Sequence, residues 1–300
     1  GASVTRDAVV VTLTANRSRL SDFLALTKPR LNSLTVATAG VGYFLGADAP
    51  IDLVVALHVL VGSGLVAGGA AALNQIAERD IDKAMTRTSH RPMPMGRVTP
   101  SEGRLFATTL SALGLIELAL GANTVAAIVA AVTLVSYVAI YTPLKRVTAL
   151  NTLVGAVPGA LPPVVGYAAG SGTIDMRALL LFLILFLWQI PHFLAIAWRY
   201  RDEYALGGMR MMPVTDPAGR STGAQMIIFT ASLVVATLAA YFAGMAGDLY
   251  LATAVVSGLI FLGVATDAGL SRQESGMRRC FLISVVYLPV LFGVMMLDKT

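Results

Sequence analysis

Nine long apolar runs constrain the fold of this chain more than any other feature. They fall at about 31–47, 52–76, 104–121, 123–141, 149–169, 178–198, 222–244, 249–267 and 280–297. Each is close to the roughly 20 residues that a helix needs to cross a bilayer core. In hydrocarbon every backbone amide must find its partner within its own segment, so such runs read as transmembrane helices. Membrane-spanning strands would instead show short alternating segments, and these runs do not alternate. The charge content agrees: 13% of residues are charged and 56% are hydrophobic, where a soluble domain carries about 25% charged residues. The mean hydropathy is +0.74. A chain of this size could not hide so much apolar surface from water. The expectation is an all-α, polytopic membrane protein. About nine helices form one bundle over residues 27–300, behind an N-terminal arm at 1–26.

The charges orient that bundle. Twenty of the 22 Lys and Arg residues lie in the arm and after the second, fourth, sixth and eighth runs. Only Arg177 and Lys299 fall on the opposite side, where Asp48, Asp52, Asp175, Asp248 and Asp298 collect. By the positive-inside rule the arm and the basic loops face the cytoplasm and the C-terminus lies outside a cell (inner or plasma) membrane. The net charge of +5 is therefore a property of loops beside a lipid bilayer, and nucleic acid is not an expected partner. Cys280 is the only cysteine, which excludes an internal disulfide, a CxxC redox pair and covalent c-type haem attachment. The apolar stretch around Ala8–Ala15 is too short and too rich in threonine for a signal sequence.

Candidate chemistry gathers in the basic loops. Asn74, Glu78 and Asp82 fall at i, i+4 and i+8, so they line one face at the end of the second run, with Asp80 pointing elsewhere. Two carboxylates and an amide are hard oxygen ligands suited to Mg²⁺ shared with phosphate groups. Arg87, Arg91 and Arg97 follow, and guanidinium groups bind phosphate oxygens bidentately. A solvated helix end with surface ion pairs would use the same residue types. Asn74, however, follows the apolar run Gly64–Leu73, and a polar group at such depth is costly unless it is used. Tyr141-Thr142-Pro143-Leu144-Lys145-Arg146 ends the fourth run; its basic pair is either a topology anchor or a phosphate ligand. The segments Arg91–Pro100 and Arg210–Pro217 echo one another, through an old repeat of helical units or through shared loop composition.

The sixth run ends as Trp188-Gln189-Ile190-Pro191-His192-Phe193, then Trp198-Arg199-Tyr200-Arg201-Asp202-Glu203-Tyr204. Trp188, His192 and Arg199 share a face, and Pro191 would kink or loosen the helix. An interfacial aromatic belt accounts for Trp198–Tyr204. It does not account for His192, which lies nearly two turns deeper. His58 is also out of place in lipid, and no partner motif surrounds it.

The segments Asn74–Pro92, Tyr141–Arg146 and Trp188–Pro213 resemble the UbiA superfamily of intramembrane prenyltransferases. Together with Thr27-Lys28-Pro29-Arg30 and Arg87-Thr88…Arg91-Pro92, they are similar to its haem-farnesylating branch, from about Leu24 to Leu297. The resemblance implies a nine-helix bundle enclosing a central cavity, with two acidic motifs capping its cytoplasmic end. Asn74, Glu78 and Asp82 match the first and imply a Mg²⁺ site. In the second, Tyr200 and Tyr204 stand where other members carry aspartate, with Asp202 and Glu203 out of register. The implied substrates are farnesyl diphosphate and haem b, the latter as acceptor. Lys28, Arg30, Arg87, Arg91, Lys145 and Arg199 are implied diphosphate ligands, with Asn74, Glu78, Asp82, Lys145 and His192 catalytic. Trp188, His192, Tyr200, Asp202 and Tyr204 are the implied haem and second-motif residues. The branch also implies haem A synthase or oxidase assembly factors as partners. Two rivals predict different outcomes: a relative prenylating an aromatic acid or quinone precursor, and a secondary transporter that uses Pro191 as a helix break and His192 as a proton relay.

Overall fold

The computed structural model describes residues 18–300, and helices are the only regular secondary structure among them. Most of the expected arm, residues 1–17 with the Ala8–Ala15 stretch, lies outside the described residues. The described chain opens with a short amphipathic helix, α1 (Arg19–Leu26), and then forms α2 (Pro29–Gly46), α3 (Leu53–Ala77) and α4 (Arg79–Ala84). Next come α5 (Pro100–Gly121) and α6 (Thr124–Val135), the latter passing through a π-helical turn at Ser136–Tyr141 into α7 (Thr142–Leu144). The chain continues as α8 (Asn151–Ala160), α9 (Pro162–Ser171), α10 (Met176–Arg199), α11 (Arg201–Leu206) and α12 (Met212–Thr215). It ends with α13 (Arg220–Phe242), α14 (Asp248–Ser271) and α15 (Glu274–Leu297).

Eight helical segments are long and apolar enough to cross a membrane. The first apolar run is also a helix, the 18-residue α2, but Arg30 and Asn32 in its opening turn make it the least apolar of the nine. The chain is a multi-pass membrane protein. Helix starts are set locally: Asp52 caps α3 by accepting from the Val54 and Val55 amides, and Asp175 caps α10 through Arg177 and Ala178. Thr99 and Glu102 form a capping box ahead of α5, with Pro100 at its first position. The fifth run is one span in two pieces, α8 and α9, which meet at Leu161 before Pro162-Pro163, because proline cannot donate to the preceding turn.

Between lipid-soluble helices, close approach of small residues replaces the hydrophobic drive. Gly42 and Gly46 on α2 face Gly166 and Gly170 on α9; a Cβ at Gly166 would lie 1.8 Å from the Ala39 carbonyl oxygen, and one at Gly42 would lie 1.9 Å from that of Pro163. The fit lets two backbones touch. The bundle closes where α15 packs against both α10 and α2. Outward-facing side chains such as Leu57, Ile116, Val235, Leu259 and Val286 remain more than half exposed, as the lipid-facing surface of a membrane bundle should. Near the acidic end, His58 has a partner that the sequence did not suggest: its Nδ1 lies 2.8 Å from Glu117 Oε1 across the α3–α5 seam.

Candidate active site

At the basic end of the bundle, α3 stops at Ala77 and Glu78 departs from helical geometry (φ −97°, ψ 7°) before α4 resumes. The three-residue face expected on one continuous helix therefore crosses a break. The break keeps the register: Glu78 N–H donates to Asn74 O at 3.0 Å and Asp82 N–H to Glu78 O at 2.8 Å. Asn74, Glu78 and Asp82 are all buried, at 1%, 5% and 1% exposure.

Each of the three meets a cation delivered by a different segment. Lys28 Nζ, at the start of α2, donates to Asn74 Oδ1 at 3.1 Å. Lys145 Nζ, just beyond α7, donates to Glu78 Oε1 at 2.7 Å, and Arg91 Nη1 donates to Asp82 Oδ2 at 2.8 Å. The other sides of these groups are held as well. Asn74 Nδ2 donates to Thr142 Oγ1 at 3.2 Å, Thr88 Oγ1 donates to Asp82 O at 3.0 Å, and Lys145 sits 4.6 Å from the centre of the Tyr141 ring. Burial, then the charges of Arg91 and Lys145, push the Lys28 ammonium down to about 7. Burial alone would lower Lys145 too, but Tyr141 and the Glu78 carboxylate outweigh it and hold its pKa above the ordinary lysine value. Burial raises the Tyr204 phenol.

One atom in the cluster has no partner. Asp82 Oδ1 is buried without a hydrogen bond, which a carboxylate oxygen does not tolerate without cause. Among the described residues no three His, Cys, Asp or Glu side chains converge on one point, so the oxygen donors available to a cation are two carboxylates and the Asn74 amide. That donor set, with one buried oxygen unsatisfied, fits Mg²⁺.

The remaining expected residues divide. Arg87 lies over the Tyr200 ring at 5.1 Å, and its backbone N–H donates to Glu203 Oε2 at 3.4 Å, which brings it to the edge of the cluster. Arg30 is exposed and makes no side-chain hydrogen bond among the described residues. Asp202 is 97% exposed and pairs loosely with Arg201 at 4.0 Å, away from the buried carboxylates. Tyr204 packs with Met85, Ala197, Met209 and Met211 beneath the loops. Arg199 makes no hydrogen bond to the cluster: it lies 5.8 Å from the Tyr200 ring and lines a concavity with Glu274 and Arg278.

Trp188 and His192 also face α15. Trp188 Nε1–H donates to Ser284 O at 2.8 Å, and the two rings stack at 4.7 Å. His192 Nδ1 lies 2.7 Å from Ser284 Oγ, whose own proton goes to Phe281 O at 2.6 Å. The serine oxygen can then only accept, so Nδ1 carries the imidazole proton and Nε2 keeps a lone pair. Sequence reasoning did not find Thr142 as a partner of Asn74, nor Ser284 on the ninth run. It also missed Asp22, 3% exposed, whose carboxylate takes Arg97 at 3.0 Å and so anchors α1 to the first basic loop. None of the three carries a local signal, because each acts across the bundle.

Two open concavities at the basic end lie beside Arg199, one of them reaching Arg272, on the α10–α15 side.

The sequence and the fold are shared with known proteins. Residues 35–287 match the UbiA prenyltransferase family. The chain is 44% identical over 289 residues to a protoheme IX farnesyltransferase of Solibacter usitatus, covering 93% of this chain and 99% of the relative. A solved digeranylgeranylglyceryl phosphate synthase shares its fold at 16% identity and a TM-score of 0.77, over 93% of this chain and 98% of the other. So does a UbiA homologue from Archaeoglobus fulgidus bound to DMAPP and Mg²⁺, at 17% identity and a TM-score of 0.66, over 92% and 99%. By sequence and by helical architecture, the chain belongs to the UbiA prenyltransferase family.

Proposed function

We propose that the chain transfers a farnesyl group from farnesyl diphosphate to a vinyl group of haem b, giving haem O for haem-copper oxidase assembly. The observation that carries the reading is the meeting of Lys28, Arg91 and Lys145 with Asn74, Glu78 and Asp82 in one buried cluster. With Lys28 protonated, as an anionic ligand would favour, three cations against two carboxylates leave one net positive charge, and a trianionic diphosphate with one divalent cation carries one net negative charge. The acceptor assignment is supported by relatives named protoheme IX farnesyltransferase at 38–44% identity and by the free Nε2 of His192.

In this reading Asn74, Glu78 and Asp82 would hold Mg²⁺; the A. fulgidus homologue is bound to DMAPP and Mg²⁺. The ion supplies charge neutralisation of the leaving group when bound. Lys28, Arg91 and Lys145 turn from the carboxylates to the diphosphate oxygens, and Arg87 closes from the rim. As the C–O bond breaks, its electron pair leaves with the diphosphate, and these ammonium and guanidinium groups, already turned onto its oxygens when the substrate binds, stabilise the growing charge. The vinyl π electrons attack the allylic carbon, forming a C–C bond and leaving a cation next to the porphyrin. Water adds its oxygen there and releases a proton, completing a hydroxyethylfarnesyl side chain. The attack needs no strong base, because the acceptor is an alkene. Exclusion of other water falls to the apolar interior of the bundle.

The basic end is then cytoplasmic, with residues 27–300 as the catalytic domain and the arm ahead of it. Haem A synthase or an oxidase assembly factor is the kind of partner that would take the product from the membrane. The test is acceptor choice. Purified protein supplied with farnesyl diphosphate, Mg²⁺ and equimolar haem b and 4-hydroxybenzoate should prenylate the haem alone. Prenylated benzoate, or ion-coupled flux with no covalent product, would replace this reading by a rival.

A further inference from the structure

We infer that the cleft between α10 and α15 is the haem seat, with His192 Nε2 on the iron and Arg199 and Arg278 on the two propionates. This rests on haem b being the acceptor and adds where the haem sits and which groups hold its charged edge.

The cleft has two connected parts. Nearer the membrane it is a concavity of about 70 Å³ walled by Ala195, Ile196, Met277 and Phe281. Beyond it, at the basic end, is one of about 210 Å³ reaching Arg272 and Trp198, and both parts share Arg199 and Glu274. An apolar slot that opens into a basic mouth suits a flat apolar ring with carboxylates on one edge. Both parts are smaller than the ≈ 300 Å³ at which whole-ligand pockets begin, so they take the propionate edge while the ring runs on along Ile196 and Phe281.

The charges are left unpaired for a dianion. Arg201 is engaged with Asp202 and stacks on Trp198 at 4.8 Å, and Arg279 is bound to Asp267 at 2.8 Å. Arg199, Arg272 and Arg278 have no carboxylate partner among the described residues; Arg272 Nη1 reaches only Ala218 O, at 3.4 Å. Glu274 is the one unengaged acid, so three guanidiniums against one carboxylate leave two positive charges for two propionates.

Spacing connects the mouth to the imidazole. Arg199 is seven residues beyond His192, about 10 Å along the helix and within about 20° of the same face. Arg278 precedes Ser284 by six residues, about 9 Å along α15, so both guanidiniums stand at one level above the His192–Ser284 pair. That pair leaves Nε2 as the lone-pair donor, the usual arrangement of a histidine that ligates iron. A phospholipid headgroup would use the arginines but not the imidazole. Tyr200 is the common wall: Arg87 stacks on it at 5.1 Å and Arg199 at 5.8 Å, so the haem seat adjoins the diphosphate cluster without sharing a residue of it.

The test titrates full-length protein in nanodiscs with haem b and with its dimethyl ester, followed by absorbance, for the native chain and for Arg199→Gln/Arg278→Gln. Native protein should bind haem b roughly tenfold to a hundredfold more tightly than the ester, the two lost charge-assisted contacts setting the ratio. The double variant should bind both equally weakly, keep the His192 spectral signature at saturation and keep its KM for farnesyl diphosphate. Equal binding of acid and ester by the native chain overturns the inference, as does an unchanged haem affinity in the variant. So does a variant whose only change is in its response to anionic lipid, which would make the arginines headgroup ligands. Failure of the native chain to bind or farnesylate haem at all would instead refute the acceptor reading on which this one stands.

Discussion

Asp82→Asn removes one unit of charge from the proposed metal and diphosphate site while keeping its shape. The carboxylate is 1% exposed, with Oδ2 on Arg91 at 2.8 Å and Oδ1 unpartnered. An amide oxygen can still accept from Arg91, and that guanidinium, 24% exposed, keeps contact with water. The fold should therefore lose only about 1–3 kcal/mol, the scale of one weakened charge-assisted hydrogen bond. The reaction should lose more. A unit charge about 4 Å from another interacts by about 4 kcal/mol at the effective dielectric suited to protein sites, and about 1.4 kcal/mol is tenfold in rate. Turnover should fall about 10²–10³-fold, with the Mg²⁺ requirement shifted to higher concentration. Asp80→Asn is the control two residues away. That side chain is 76% exposed and pairs only with Arg79 and Lys83, so its loss should be near zero. The assay is product formation against Mg²⁺ in detergent, with size-exclusion and thermal melting to show that both variants are folded. Asp82→Asn within about threefold of native, at ordinary Mg²⁺, would refute the reasoning; so would an equal loss in Asp80→Asn.

Ser284→Ala removes the acceptor that fixes the His192 tautomer, so haem affinity should drop about 10-fold or more with the KM for farnesyl diphosphate unchanged; an unaltered haem spectrum and affinity would contradict this. Gly166→Ala forces a Cβ to within 1.8 Å of Ala39 O, and overpacking of this kind costs about 1–3 kcal/mol or more. A clear drop in melting temperature is expected, and an unshifted melt would mean that α2 and α9 do not meet as described. Reporter fusions at Thr300 should behave as external and fusions within 87–100 as cytoplasmic; a cytoplasmic C-terminus would require an odd error in the number of crossings.

The spans are legible because each is an unbroken apolar run, and their bounds in the structure differ by only a few residues. The split at Leu161 is signalled by Pro162-Pro163 but masked by the apolarity that continues through it. The break at Glu78 has no such signal, since Gln75-Ile76-Ala77-Glu78-Arg79 contains no helix breaker; it comes from packing. The acid cluster can be read from spacing, but its pairing with Lys28 and Lys145 cannot, because those residues arrive from segments 46 and 67 positions away. Arg199 shows how far periodicity reaches. The resemblance groups it with the diphosphate ligands, but it lies two turns beyond His192 on the same face, so helical periodicity places it beside α15 with that histidine.

The most direct test is the mass of the product. Purified protein, haem b, farnesyl diphosphate and Mg²⁺ in ¹⁸O-enriched water should yield a haem enlarged by one farnesyl group and one labelled hydroxyl, with diphosphate released and no product after chelation. An unmodified haem under these conditions, a farnesylated product without the label, or full turnover in chelator would contradict the account.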